Sequence, residues 1–97
     1  MNQLSPAELK EWTYAGKDFL LVDIREGWER DDFNIGGVHI AMGELISRIH
    51  EIPKDKDVVL YCEKGVRSVI VIQRLEGFGF HNLFNLSGGI KSWKEAI

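Results

Sequence analysis

The single cysteine of the chain, Cys62, opens the segment Cys62-Glu63-Lys64-Gly65-Val66-Arg67-Ser68, in which a thiol, two cations and a hydroxyl lie within seven residues. A thiolate is a strong nucleophile, and it is favoured where backbone N–H groups and a guanidinium converge on sulfur. Gly65 permits the positive φ that a tight, anion-cradling loop needs. Arg67 would supply positive potential, and Lys64 would draw an anion in. Ser68 is placed either to orient the sulfur or to cap a following helix. Glu63, beside the nucleophile, sets a negative charge against an anionic substrate. Free cysteine is also a common buried hydrophobe, and composition alone does not separate the two readings. Glycine, arginine and serine at set offsets favour chemistry.

Such a loop works only if regular elements hold it. Val58-Val59-Leu60-Tyr61 reads as a buried strand that delivers the chain to Cys62. Val66–Glu76 is rich in β-branched residues, which suits a strand. Its length, the glycines at 77 and 79, and the crossover that a parallel neighbour requires favour a helix instead. Cys62 then sits between the carboxyl end of a strand and the amino end of a helix. Ligands bind at that edge of parallel α/β sheets, against first-turn N–H groups that have no helical partner.

The remaining elements follow the same alternation. Ser5-Pro6-Ala7-Glu8 has the form of a helix start, with Leu9 and Trp12 as its buried stripe and Gly16 as its end. Phe19–Ile24 is a continuous apolar run, as in a strand covered on both faces. Gly43-Glu44 leads into a second helical segment, with Leu45, Ile46 and Ile49 on one face. Residues 53–57 form a polar turn, and Asn82–Leu86 is a third strand. Ser87-Gly88-Gly89 then turns into a last helix with Ile90, Trp93 and Ile97 on one side. Residues 25–43 are glycine-rich and mixed, and no element is assigned there. The expectation is an α/β fold, one domain over residues 1–97, with a mainly parallel central sheet flanked by helices on both faces.

Composition narrows the function. A chain of 97 residues that is 44% hydrophobic suits one compact domain. A net charge of −3, with basic residues scattered along the chain, argues against a nucleic-acid or anionic-membrane partner. No stretch resembles a secretory leader or a membrane span. One cysteine excludes an intramolecular disulfide and disfavours a cysteine-based zinc site, so no metal is expected. The expected setting is reducing and cytoplasmic.

Cys62 through Ser68 matches, at every fixed position, the Cys-x-x-Gly-x-Arg-Ser loop of the rhodanese-like sulfurtransferases. Leu21-Val22-Asp23-Ile24-Arg25-Glu26 is similar to that family's strand ending in Asp-x-Arg, and Glu29 stands where an acidic residue usually follows. Leu75, Gly79-Phe80, Leu83, Leu86, Gly88-Gly89 and Trp93 fall in its C-terminal pattern, so the resemblance covers nearly the whole chain. Two departures stand out. Asn34 replaces the histidine of the family's Gly-His-Ile-x-Gly-Ala segment, which implies a local structural effect, and Glu63 disfavours fast use of thiosulfate.

The resemblance implies a sulfurtransferase with Cys62 and Arg67 as catalytic residues and Glu63, Lys64, Gly65, Val66 and Ser68 as the substrate loop. Asp23 and Arg25 would support that loop by hydrogen bonds or an ion pair. Cys62 would take sulfane sulfur from thiosulfate or a persulfide, on a small molecule or a protein, and pass it to a thiol or cyanide, with no cofactor. Trp12 and Trp93 read as packing residues, and Trp28 lies where it could rim the site. His39, His50 and His81 are given no role, and close packing explains Gly88-Gly89. Two other classes stay open. One is a non-catalytic binding module of the same fold. The other is a cysteine-dependent phosphatase or arsenate reductase, whose loop resembles this one but is a residue longer.

Overall fold

The computed structural model describes residues 1–96. Five strands form one all-parallel sheet in the order β1-β5-β4-β2-β3. The strands are β1 (Asn2–Leu4), β2 (Phe19–Asp23), β3 (Val38–His39), β4 (Asp57–Tyr61) and β5 (Leu83–Leu86). Four α-helices connect or follow them: α1 (Pro6–Tyr14), α2 (Gly27–Asp32), α3 (Val66–Glu76) and α4 (Gly89–Glu95). Among the described residues, no helix is long and apolar enough to cross a membrane. The expected α/β layers, with helices on both faces of the sheet, are present.

Alternation along the central strands builds two cores. Val58 and Leu60 of β4 face one side with Val22, Ile24 and Leu83, under Val71, Ile72 and Leu75 of α3. Val59 and Tyr61 face the other with Leu4 and Leu86, under Leu9 of α1 and Ile90 of α4. β4 is buried on both faces, which is why it reads as an unbroken apolar run. From β2 the chain moves outward to β3, and from β4 it moves the opposite way to β5. The carboxyl ends of β2 and β4 therefore flank the point where strand order reverses, and Cys62 emerges there.

Several elements depart from the sequence-based expectation. Residues 43–49 form no α-helix. Two 3₁₀ turns, Met42–Glu44 and Ile49–Glu51, bracket a run of turns. Leu45, Ile46 and Ile49 still pack on the α3-side core, so the apolar spacing was right. Neither turn has a side-chain cap, and several bonds close at three residues, such as Ile49 N–H to Ile46 C=O at 3.3 Å. β1 was not anticipated, since three residues at a sheet edge carry too little pattern. The unassigned stretch 25–43 holds α2 and the two-residue β3. The first helix has the anticipated capping box between Ser5 and Glu8. In the last helix Ile90 is buried and Trp93 packs on the same core, while Ile97 lies outside the described residues.

Leu60 is fully buried on the central strand one residue before Tyr61. Leu60→Ala is expected to lower stability by about 2–5 kcal/mol through lost burial and a residual cavity. Urea titration with an unchanged m-value would show it, and a loss below about 1 kcal/mol would contradict this account of the core.

Candidate functional site

Tyr61 ends β4, and Gly65 caps α3 at φ +85°, so residues 62–65 make the whole turn. The side chain of Cys62 folds back under the helix. Its Sγ accepts the N–H of Gly65 at 3.1 Å and the N–H of Ser68 at 3.4 Å. Ser68 is the third residue of α3, so the sulfur occupies the place of a capping side-chain oxygen. The positive end of the α3 dipole lies directly behind it. Ser68 does not cap the helix; its Oγ stands 3.3 Å from Sγ and also meets Asn85 Oδ1.

A second helix holds the loop from below. The N–H groups of Ile90 and Lys91 in α4 donate to the carbonyls of Cys62 and Glu63, both at 3.0 Å. In trans peptides, carbonyls directed to α4 send the following N–H groups the opposite way. This approach requires glycine. Gly89 has φ +61°, and a Cβ there would lie 2.7 Å from the Glu63 carbonyl oxygen and closer still to that of Cys62. Gly65 packs in turn against the Gly88 backbone, 3.0 Å from where its own Cβ would stand. Close packing is thus what the glycine pair provides.

Cys62 is only 1% exposed, yet it lines a cavity of about 260 Å³ with Glu29, Glu63, Lys64, Val66 and Arg67. Arg67 does not touch the sulfur. Its guanidinium makes a two-pronged pair with Glu29 of α2, both bonds at 2.8 Å. That pairing holds the Glu29 carboxyl below its ordinary range against the opposing cost of burial. Glu63 extends toward Arg25, 3.5 Å from Nη1, which offsets its charge near Sγ. Lys64 and Val66 are exposed at the rim, and Lys64 has no acidic partner among the described residues. Trp28 is 74% exposed and does not line the cavity.

Arg25 is 1% exposed, so it is no solvated surface cation. Its Nε and Nη2 donate to the two oxygens of Asp23 at 3.0 and 3.1 Å, and Nη2 also donates to the Phe33 carbonyl at 2.5 Å. It thereby ties the end of β2 to the loop through Glu63. Sequence reasoning passed over three contributors. His39, half-buried, donates from Nε2 to the Arg25 carbonyl at 2.6 Å. Asn85, a buried amide in an otherwise apolar strand, was the one legible anomaly of β5. Glu29 was noted for its position but not as the partner of Arg67. Asn34 bonds the Arg30 carbonyl and the Gly36 N–H, closing the turn after α2. His50 and His81 are exposed. No cluster of three or more metal-binding side chains occurs among the described residues.

The family model for the rhodanese-like domain matches residues 5–96. The putative sulfurtransferase YtwF of Bacillus subtilis is 35% identical over 97% of this chain and 91% of its own. The probable adenylyltransferase/sulfurtransferase MoeZ of Mycobacterium tuberculosis is 33% identical over 99% of this chain, which spans only 25% of that longer protein. A rhodanese-like domain protein of Staphylococcus aureus superposes with a TM-score of 0.88 at 26% identity, covering 96% of this chain and 91% of that one.

Two outcomes are expected. Because the Glu29 carboxyl is lowered in the folded chain, its contribution is complete above the ordinary carboxylate value and is lost as pH falls through the lowered one. Glu29→Gln should therefore narrow the stability gap to wild type between neutral and acid pH, read from urea midpoints at pH 7 and pH 3; an unchanged gap would refute the pairing. Gly89→Ala should cost at least about 2 kcal/mol by the same titration, since it meets both a left-handed φ and two carbonyls. A loss under about 0.5 kcal/mol would mean that α4 does not press on the loop.

Proposed function

The chain belongs to the rhodanese-like domain family, and from that membership we propose that it is a sulfurtransferase in which Cys62 carries sulfane sulfur as a persulfide. One observation supports this most: a sulfur at the floor of an open cavity that accepts backbone N–H groups at the amino end of α3. An apolar structural cysteine needs no such donors. The proposed cycle has two displacements. The Cys62 thiolate attacks the outer sulfur of a donor, the donor's S–S bond breaks, and the electron pair leaves with the donor fragment (sulfite, if the donor is thiosulfate). An acceptor thiolate or cyanide then attacks the terminal sulfur and regenerates the thiolate.

The loop's role in that cycle is electrostatic. The N–H groups of Gly65 and Ser68 stabilise negative charge on Sγ without reorganisation. The N–H groups of Val66 and Arg67 meet no acceptor among the described residues and are the natural partners of a second sulfur. Arg67, neutralised by Glu29, acts as a fixed dipole at the rim and leaves Lys64 there as a cation with no acidic partner among the described residues. That balance favours a persulfide donor over doubly charged thiosulfate. The loop, with only Glu63 to Val66 between Cys62 and Arg67, is a residue shorter than that of the cysteine-dependent phosphatases, which argues against that class. Asp23 and Arg25 act as support, and no cofactor takes part.

Intact-mass analysis tests the reading. Incubation with a low-molecular-weight persulfide, and more slowly with thiosulfate, should add the mass of one sulfur atom. Cyanide should remove it as thiocyanate, and Cys62→Ser should abolish both. If no donor adds mass and no thiocyanate forms, the proposal fails and a binding module remains.

A further inference from the structure

A line of polar side chains runs from the sulfur to the edge of the sheet. Ser68 Oγ lies 3.3 Å from Cys62 Sγ and is bonded to Asn85 Oδ1. Asn85 Nδ2 donates to Gln3 Oε1 at 3.0 Å, and Ser87 Oγ donates to the same oxygen at 2.9 Å. Ser68 and Asn85 are buried, whereas Gln3 is exposed on β1. A buried carboxamide is costly unless bonded at both ends. Here one end meets the serine that touches the sulfur, and the other meets the edge strand.

In this arrangement Ser68 gives its proton to Asn85 and offers Cys62 only a lone pair, which suits a thiol donating S–H. Every link is reversible. A half turn of a carboxamide exchanges its oxygen and nitrogen at the same two places, and a hydroxyl rotates freely. With both amides turned, Gln3 Nε2 donates to Asn85 Oδ1 and to Ser87 Oγ. Asn85 Nδ2 then donates to Ser68 Oγ, and the Ser68 proton points at the sulfur. No member of the buried chain loses its partner in either direction.

We infer that Ser68, Asn85 and Gln3 form a hydrogen-bond chain with two opposite polarities, set by whether the Cys62 sulfur is neutral or anionic. Asn85 and Gln3 are its positioning residues. The thiol proton departs to solvent and nothing is carried along the chain; only the direction of each bond reverses. The anionic sulfur thereby gains a third donor beside the N–H groups of Gly65 and Ser68. The charged groups facing Cys62 are Glu29 of α2, Glu63 and Lys64 of the loop, and Arg67 of α3. None of them is bonded to this chain among the described residues. The inference rests on Cys62 being the nucleophile proposed above.

The test fixes the polarity from the far end and reads alkylation of Cys62 by iodoacetamide at neutral pH, with no sulfur donor present. In Gln3→Glu the carboxylate only accepts, so Asn85 must donate to it and the Ser68 proton is held from the sulfur. Alkylation should slow roughly three- to tenfold. In Gln3→Lys the ammonium only donates, which sets the opposite polarity, and the rate should equal or exceed that of wild type. Asn2→Glu and Asn2→Lys, next to Gln3 on the same strand, control for charge alone and should differ little. In a Ser68→Ala background the gap between the two Gln3 variants should close. Equal rates for Gln3→Glu and Gln3→Lys would overturn the inference, as would a gap that survives Ser68→Ala or is matched at Asn2. An intact gap in a protein that gains no sulfur would count against the sulfurtransferase reading and leave the chain standing.

Discussion

The site depends on two hydrogen bonds that involve no reactive atom: Ile90 and Lys91 N–H to the carbonyls of Cys62 and Glu63. A loop of four residues has few ways to present N–H groups inward, because every inward N–H requires a carbonyl turned out. Outward carbonyls buried under a neighbouring helix must find donors there. The first turn of α4 has such donors unpaired, and it reaches the loop because β5 lies beside β4 and is followed, after Ser87, by two glycines. One helix start satisfies the outward carbonyls of the loop while another, that of α3, directs its N–H groups at the sulfur.

Apart from Lys64 at the rim, charge around the sulfur is arranged in closed pairs. Arg67 is bound to Glu29, and Arg25 to Asp23 with Glu63 at its far end. Buried or half-buried ions of this kind are stable because each has its counter-charge and further hydrogen bonds. The pairs cross-brace α2, α3 and the ends of β2 and β4, so they position the loop. In the proposed cycle, the field at Sγ comes mainly from peptide dipoles, which need not move when charge develops.

How much was legible in the residues varied with the range of the interaction. The α1 capping box, the two-sided burial of β4 and the need for a left-handed Gly65 are local and were readable. Residues 43–49 misled because an apolar face at helical spacing can be presented by turns as well as by an α-helix. Arg67 was expected at the sulfur and is found on Glu29, since a long side chain takes the partner that folding brings near. That partner lies 38 positions away in sequence.

The sequence by itself determined the layer order, the strand-to-helix placement of Cys62 and the backbone freedom of its loop. Those features follow from periodicity, capping and the sterics of single residues. Only the tertiary structure decided which groups meet: Gly89 against the Cys62 carbonyl, Glu29 with Arg67, and Asn85 between Ser68 and Gln3. Such contacts join residues 17 to 82 positions apart, which are neighbours only once the elements that carry them lie side by side. The physical reason is that a hydrogen bond is specified by position within a few tenths of an ångström, and that precision arises from packing.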